Sequence, residues 1–184
     1  MDRKYFVPAV LVALLSGPAF AAEHKGWVYD GLTGWSSVND SGLSDNAFAS
    51  NSNIGYRWGE FGIEVGHSFF GKFKDSSVVG GTTVDVDTKV DGWNAGINVN
   101  HDINEKWSVQ GRIGVFDWNA DGHAASGASS ARFSDSGNDW YGGVSLDHKW
   151  RDSSSLGFGY TYFKANGANI HLWGLHTEHR FGSH

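Results

Sequence analysis

An alternation of apolar with small or polar residues, with a period of two, runs through most of this chain. In "NSNIGYRW", residues 51–58, Ile54 and Trp58 alternate with Gly55 and Arg57. Because successive side chains of a β-strand point to opposite faces, such a segment predicts a strand with one apolar face and one face of small or polar residues. Eight segments show the pattern and predict strands at residues 26–37, 51–58, 61–69, 93–102, 107–116, 139–150, 156–163 and 171–181.

The composition also favours strands over helices. The 184 residues include 26 Gly, 9 Trp, 6 Tyr and 12 Phe, and glycine is a poor helix former whereas aromatic residues are enriched in strands. The chain has no cysteine, so no disulfide stabilises it. The formal net charge is −6 at pH 7 and there is no basic run, so we do not expect nucleic acid as a partner.

The first residues have the order of a secretory signal peptide. Arg3 and Lys4 precede an apolar stretch over residues 5–15, and small residues end in an A-x-A site at Ala21. A membrane-anchoring helix fits less well, because the apolar stretch is short and prolines interrupt it. The predicted division is a signal peptide over residues 1–21 and one exported domain over residues 22–184.

The predicted connections between strands alternate in length. Those after the second, fourth and sixth strands, "GE", "INEK" and "RDSS", are short. Those after the first, third and fifth strands, residues 39–50, 74–89 and 119–138, are long and rich in Ser, Gly and Asp. Short turns at one end and long polar loops at the other are the layout of an outer-membrane barrel, whose short turns face the periplasm.

The alternation alone does not decide which face of the sheet is buried. In a soluble barrel the apolar face points inward, whereas in a membrane barrel it points to lipid. Here the polar face consists mainly of Gly, Ser and Asn, which fit the narrow interior of an eight-stranded barrel. The apolar face carries large aromatic residues near the strand ends, as expected at the two lipid interfaces. These interface aromatics are Trp27, Trp35, Trp58, Phe61, Trp107, Trp140, Trp150, Tyr162, Trp173 and Phe181.

The fold class that these features predict is all-β, an eight-stranded antiparallel up-and-down transmembrane β-barrel. In the predicted register, several charged residues point into the lumen. Charges in so narrow an interior are shielded from bulk water, and we expect them to pair with one another to offset the loss of hydration. The predicted lumen charge network consists of Asp30, Arg57, Glu64, Arg112, Asp147, Lys149, Glu178 and Arg180.

Four stretches of the sequence carry a resemblance to a known family. They are "GWVYDGLTGWS" in the first predicted strand, "IGYRWGEFGIEVGHSFFG" in the next hairpin, the hairpin within residues 98–121, and the closing "HRF". Their order and spacing resemble the OmpA-type eight-stranded membrane barrels of Gram-negative outer membranes, over nearly all of the mature chain. Many such proteins continue into a peptidoglycan-binding periplasmic domain. This chain stops with the barrel, so we do not expect attachment to the cell wall.

The resemblance also implies a location and partners. A member of this family is expected in the outer membrane of a Gram-negative bacterium, as a monomer in contact with outer-membrane lipid and lipopolysaccharide. Phe181 resembles the terminal aromatic residue that the barrel-assembly machinery reads in the C-terminal strand, although Gly182–His184 follow it here.

For function, the resemblance implies a structural role in the membrane, and a narrow or gated pore for ions or small solutes stays open beside it. Glu64 and Arg112 match family positions at which a carboxylate exchanges partners to open a water path. The matching sites for the other members of that switch, Asn98, Ser145 and Gly157, lack the required charges, so a static plug is favoured over a gate. The alternative function is that of a surface adhesin, which would bind host surface molecules through its extracellular loops.

The histidines do not predict a catalytic or metal site. Lipid A-modifying barrels need a serine and a histidine close together, but His67 and Ser68, adjacent in "GHS", point to opposite faces. In the last strand His171 and His179 lie on the outward face and His176 on the inward one, too far apart for a metal site within this strand. We therefore expect no enzymatic activity and no cofactor.

Overall fold

A computed structural model describes residues 25–40, 43–79, 82–126 and 129–181 of the chain. The predicted signal peptide, residues 1–21, and the tail Gly182–His184 lie outside this range. In the part of the chain that is described, no helix is long and apolar enough to cross a membrane. The described residues form eight strands: β1 (Lys25–Asp40), β2 (Leu43–Trp58), β3 (Phe61–Val79), β4 (Thr82–Asp102), β5 (Trp107–Ser126), β6 (Ser129–Arg151), β7 (Ser154–Ala165) and β8 (Ala168–Phe181).

The strands close into a single barrel. Each strand pairs antiparallel with its neighbours in the sequence, and β1 pairs antiparallel with β8. The closing ladder runs from Trp27 opposite Phe181 to Asn39 opposite Asn169. The predicted eight-stranded antiparallel barrel is therefore confirmed. Closure pairs the backbone of the first and last strands, as a lipid environment requires.

The turns define the two ends of the barrel. β2 and β3 are joined by Gly59 and Glu60, and Gly59 has a positive φ of 65°. At the opposite end, β7 and β8 are joined by Asn166 and Gly167, whose φ values are 47° and 87°. Two positive φ values in a two-residue loop are typical of a type I′ turn, for which Asn-Gly is a preferred pair. The end that carries Gly59 also holds the start of β1 and the end of β8, and it corresponds to the periplasmic end.

The strands at the extracellular end are longer than the sequence predicted. β3 pairs with β4 as far as Val79 and Thr82, and β5 pairs with β6 as far as Ser126 and Ser129. Beyond the lipid both faces of a strand contact water, so the alternating pattern is lost while the backbone hydrogen bonds continue. The prediction of long loops at residues 39–50, 74–89 and 119–138 is therefore wrong, because most of these residues are in strands.

The two faces of the barrel wall have the predicted orientation. On β1, Val28, Asp30 and Leu32 are 5%, 2% and 2% exposed, whereas Trp27 and Trp35 are 57% and 55% exposed. Large apolar side chains cover the outside of the barrel, and polar side chains fill much of the lumen. This is the reverse of a soluble protein and fits a barrel surrounded by lipid.

Candidate functional site

The lumen of the barrel is the candidate functional site. At its periplasmic end, Nη1 of Arg57 on β2 donates to both carboxylate oxygens of Glu178 on β8, at 2.8 and 2.9 Å. Nε of Arg180 donates to the same carboxylate at 2.9 Å. The amide nitrogens of Asn100 and Gln110 lie 3.4 and 3.5 Å from its Oε2 atom. Arg57 and Glu178 are almost fully buried, so each charge is neutralised by the other rather than by water.

Arg112 is the centre of a second charged group, further into the barrel. Its Nη2 lies 2.9 Å from Oδ1 of Asp30, and its Nη1 lies 3.8 Å from Oε1 of Glu64. Glu64 also accepts hydrogen bonds from the Tyr141 hydroxyl and from Nδ2 of Asn98, each at 2.7 Å. These five residues come from five different strands, so the group ties opposite walls of the barrel together.

Two amide side chains join these groups into one network. Oδ1 of Asn98 accepts from Nη2 of Arg57 at 3.2 Å, while its Nδ2 donates to Glu64. Oε1 of Gln110 accepts from Nη2 of Arg112 at 2.8 Å, while its Nε2 faces the carboxylate of the first group. A primary amide has both donors and an acceptor, so it can link the cation of one ion pair to the anion of the next.

His176 on β8 is a buried member of the same network. Its Nδ1 lies 2.7 Å from Oδ1 of Asp147, and its Nε2 lies 3.4 Å from Nη2 of Arg112. The ring therefore lies between a carboxylate at Nδ1 and a guanidinium at Nε2. Ser145 donates to the other oxygen of Asp147 at 2.7 Å.

Neutral amides form the next level toward the extracellular end. Nδ2 of Asn51 donates to Oγ of Ser68 and to Oδ1 of Asn94, both at 2.9 Å. Asn53 accepts from Nδ2 of Asn94 at 2.6 Å and donates to Asp30 at 2.9 Å. All of these side chains are buried, and the bond to Asp30 connects them to the charged groups below.

Above the polar levels, aromatic rings fill the lumen. Phe70, Phe116 and Phe163 pack edge to face, with ring centroids 4.9 to 5.8 Å apart. The ring of Tyr141 stacks on Phe163 at 5.5 Å. All four side chains are 0% exposed. Rings in direct contact leave no room for a hydrated ion, so this apolar layer obstructs the lumen independently of the charges below it.

The structure connects seven of the eight predicted lumen charges, and Lys149 is the exception. Lys149 lies at the periplasmic rim, where it is partly exposed and pairs with Asp102 at 2.5 Å. The connected residues are Asp30, Arg57, Glu64, Arg112, Asp147, Glu178 and Arg180. The sequence interpretation left His176 and Tyr141 out of the network, although the alternation places both on the inner face. An interpretation restricted to Asp, Glu, Lys and Arg misses such partners.

The predicted interface aromatics lie on the outer face of the barrel, in two rows. The periplasmic row contains Trp27, Trp58, Phe61, Trp107, Trp150 and Phe181. The extracellular row contains Trp35, Trp140, Tyr162 and Trp173. Neighbouring rings in the extracellular row are in contact: Trp35 lies 5.9 Å from Trp173, and Trp140 lies 4.9 Å from Tyr162. Trp93, which is 62% exposed, belongs to the outer face as well and was missing from the prediction.

The serines and histidines of the described residues do not assemble a catalytic triad. His67 is partly exposed on the outer face, whereas Ser68 is fully buried in the lumen. Oγ of Ser154 lies 2.7 Å from Nδ1 of His179 near the periplasmic end, but the described hydrogen bonds give His179 no carboxylate partner to orient it. The same residues contain no group of three His, Asp or Glu side chains placed to hold a metal ion.

A closed barrel with an apolar outer face, two rows of interfacial aromatics and a filled polar interior is a transmembrane β-barrel. The chain matches the family model of the outer membrane protein beta-barrel domain over residues 7–181, and it belongs to that family. Its location is therefore the outer membrane of a Gram-negative bacterium, and the expected kinship with eight-stranded outer-membrane barrels is confirmed.

Solved structures with a similar fold are outer-membrane proteins. Ail, the attachment invasion locus protein of Yersinia pestis, in complex with the heparin analogue sucrose octasulfate, is 19% identical with a TM-score of 0.57, and the match covers 86% of this chain and 99% of Ail. OprG of Pseudomonas aeruginosa is 9% identical with a TM-score of 0.59, covering 88% and 99%. Neisserial surface protein A is 13% identical with a TM-score of 0.53, covering 84% and 96%. At these identities the similarity concerns the fold alone. No curated protein sequence matches the chain at a significant level.

Proposed function

We propose that this protein is a structural barrel of the outer membrane whose lumen is closed to ions and solutes. The observation that carries the proposal is the apolar layer, in which Phe70, Phe116 and Phe163 are fully buried and in mutual contact. The buried pair of Arg57 and Glu178 supplies a second obstruction nearer the periplasm. An eight-stranded barrel has an interior just wide enough for side chains to fill, and here side chains fill it at both levels.

The partners of Glu64 favour a static plug over a gate. Its carboxylate is held by the Tyr141 hydroxyl, the Asn98 amide and the Arg112 guanidinium, which lie on three different strands. To exchange partners, the carboxylate would have to leave these groups while still buried. Breaking a buried ion pair costs about 3–5 kcal/mol, so an exchanged state would be rare.

Planar-bilayer recording tests the closed lumen. We expect no stepwise current from the purified wild-type barrel or from Glu64→Gln, in which the amide keeps most of the hydrogen bonds. A general diffusion porin in the same bilayer serves as the positive control. Stepwise current from the wild type would contradict the proposal, and a change of that current in Glu64→Gln would favour a gated pore.

A second candidate function, recognition of host surface molecules, is favoured by the height of β3–β6. The pairing of β6 with β7 extends only to Tyr141 and Phe163, whereas β5 and β6 remain paired up to Ser126 and Ser129. Strands β3–β6 thus form an extracellular extension, residues 72–79, 82–90, 119–126 and 129–138, above the other half of the barrel. The structure of Ail with a heparin analogue shows that a barrel of similar fold binds an external ligand.

Removal of the tip of the β3–β4 hairpin tests this second function. We expect deletion of residues 76–85 to reduce adhesion of expressing bacteria to host cells severalfold while the barrel still shows heat-modifiable mobility on gels. A variant that is correctly inserted and adheres as strongly as the wild type would rule out recognition through this hairpin.

We also propose that the barrel is a monomer, in contact with lipopolysaccharide, and that it is assembled through β8. The ladder between β1 and β8 leaves no free edge at the seam for a second copy. Phe181, opposite Trp27 at the end of that ladder, is the candidate contact with the barrel-assembly machinery. Phe181→Ala should lower the yield of barrel in the membrane. Light scattering of the purified wild type should give the mass of a monomer.

We propose no enzymatic activity, and changed lipid A mass spectra on overexpression would contradict this.

A further inference from the structure

A cavity lies above the apolar layer, at the extracellular end of the lumen. Its volume is about 300 Å³. Its walls are mostly apolar and include Phe73, Val90, Trp118, Ala120 and Ile170, contributed by β3, β4, β5 and β8. For comparison, an apolar cavity of about 150 Å³ in an engineered protein binds benzene, and ligand pockets usually begin near 300 Å³. The cavity is therefore large enough for a small organic molecule.

Two aromatic side chains of the cavity are held in place by glycines on the paired strand. Trp118 is opposite Gly137, and a Cβ atom at Gly137 would lie 2.9 Å from Cζ2 of the indole. Phe133 is opposite Gly122, and a Cβ atom there would overlap the phenyl ring. Both rings thus occupy the space that a side chain on the neighbouring strand would need. Trp118 also donates a hydrogen bond of 3.1 Å from its Nε1 to Asp139, which orients the indole in the cavity wall.

The cavity has a low wall on the side of β7 and β8. Their turn, Asn166 and Gly167, ends well below the tip of β5 and β6. Side-chain contacts fasten this turn to β6: Nδ2 of Asn166 donates to Asp135 at 2.6 Å, and its backbone N–H donates to Asp139 at 3.1 Å. Tyr162, in the extracellular aromatic row, is four residues from Asn166, or roughly 13 Å along the strand. The cavity therefore opens over the hairpin, close to the outer surface of the membrane.

The polar groups of the lining indicate which ligands would fit. They are Thr88, Asp135 and Asn166, and the described lining contains no Lys, Arg or His. An anion would meet the carboxylate of Asp135 with no basic side chain to offset the repulsion. A hydrogen-bond donor on the ligand would find acceptors there, because the Asp135 carboxylate has more lone pairs than its bonds from Asn166 and from the Ser136 backbone N–H use. Aromatic rings of the wall favour edge-to-face or offset contact with an aromatic ligand.

We propose that this cavity binds a small, uncharged aromatic molecule that carries one hydrogen-bond donor. The apolar layer of Phe70, Phe116 and Phe163 separates the cavity from the polar lumen, so the ligand is held at the surface of the barrel and is not transported through it. Phe73, Val90 and Ala120 of the extracellular extension line part of the cavity, but the proposal does not require that the extension binds host molecules.

Indole, a two-ring aromatic with one N–H donor, is a suitable probe for this site. We expect saturable shifts of the Trp118 Nε1–H signal and of methyl signals from Val90 and Ile170 when indole is titrated into the barrel in lipid nanodiscs. Indole-3-acetate, which adds a carboxylate, should bind at least about tenfold more weakly, a difference of 1.4 kcal/mol. Shifts that rise linearly without saturation, or equal binding of the two compounds, would overturn the proposal.

Two variants separate binding in the cavity from partition into lipid. Ala120→Phe fills the cavity and should weaken indole binding at least about tenfold. Ala168→Leu, on the opposite wall, should have the same effect. It replaces Ala120→Phe in the test if that variant does not fold. Ala95→Phe adds a ring of the same size to the lipid-facing side and should leave binding unchanged. Unchanged indole binding in both cavity variants would show that indole is not held in this cavity, and the proposal would fail.

Discussion

Arg57 on β2 and Glu178 on β8 form a buried ion pair that passes over β1, the strand between them. Both side chains are 3% exposed, so loss of Glu178 leaves Arg57 buried without its counter-ion, and loss of Arg57 leaves Glu178 with the more exposed Arg180 as its remaining ion-pair partner. We predict that Arg57→Met lowers the free energy of unfolding by about 3 kcal/mol, the lower end of the range for a broken buried pair, because Arg180 still faces the carboxylate. Urea unfolding of the barrel in lipid vesicles, followed by tryptophan fluorescence, measures this change.

The matched control is the double variant Arg57→Met with Glu178→Gln, which removes both charges. Because neutral replacement of a buried pair costs much less than its disruption, the double variant should be more stable than Arg57→Met alone. If the two effects simply add, the pair is not coupled in the folded barrel.

Gly34 and Gly174 face each other at the seam between β1 and β8. A Cβ atom on Gly174 would lie 2.7 Å from Cα of Gly34 and would overlap the carbonyl oxygen of Thr33, and both neighbours are backbone. We predict that Gly174→Ala destabilises the barrel by about 1–3 kcal/mol, because the closing ladder must shift. The same urea titration gives the value.

Gly31→Ala, on β1 at the same seam, is the control for this prediction. Its added Cβ atom would be 3.5 Å from Oγ1 of Thr177, an ordinary contact, so stability should stay within about 0.5 kcal/mol of the wild type. Equal destabilisation by the alanines at Gly31 and Gly174 would mean that close approach at the seam is not the cause.

Period-two alternation, together with the small polar residues of one face and the aromatic residues of the other, predicted the closed fold and the orientation of most side chains in the membrane. It assigned Asp30 and Glu64 to the lumen and Trp27 and Trp35 to lipid, and the structure agrees at each. The signal is strong there because each strand has lipid on one side and a narrow lumen on the other. That contrast forces opposite polarity on neighbouring residues.

Outside the membrane the same reasoning fails for a physical reason. Residues 74–79, 82–89, 119–126 and 129–138 form paired strands, yet their composition, rich in Ser, Asp and Thr, resembles that of a loop, because no lipid face demands apolar side chains. The aromatic cavity was missed as well. Its Trp118 points inward, and only the pairing with Gly137 shows why an indole fits there.

Because the outer face contacts lipid, the free-energy cost of a charged residue on that face should depend strongly on its depth in the membrane. Ile54 is 50% exposed on the outer face of β2, four residues from Trp58 and six from Phe48, and so near the middle of the apolar band. We predict that Ile54→Lys lowers the free energy of unfolding in vesicles by about 2–4 kcal/mol, because the ammonium group loses its hydration in lipid.

Ile103→Lys provides the comparison at the periplasmic turn, where Ile103 is 56% exposed between β4 and β5. At this depth the cost should fall to about 0–1 kcal/mol. A cost at Ile54 no larger than at Ile103 would show that the outer face is surrounded by water, and the membrane assignment of that face would fail.

Asn166 has a positive φ of 47° in the turn between β7 and β8 and bonds Asp135 through its side chain. Asn166→Ala loses this bond. It also places alanine, which lacks the local side-chain hydrogen bonds of asparagine, in the left-handed region, and this backbone conformation costs about 1–2 kcal/mol. Asn166→Gly loses the bond but tolerates the backbone conformation. We therefore predict that amide hydrogen exchange at Ala165 and Ala168 is about tenfold faster in Asn166→Ala than in Asn166→Gly. This ratio corresponds to a difference of about 1.4 kcal/mol in the free energy of local opening. Equal acceleration in the two variants would assign the whole effect to the lost contact with β6 and none to the backbone of the turn.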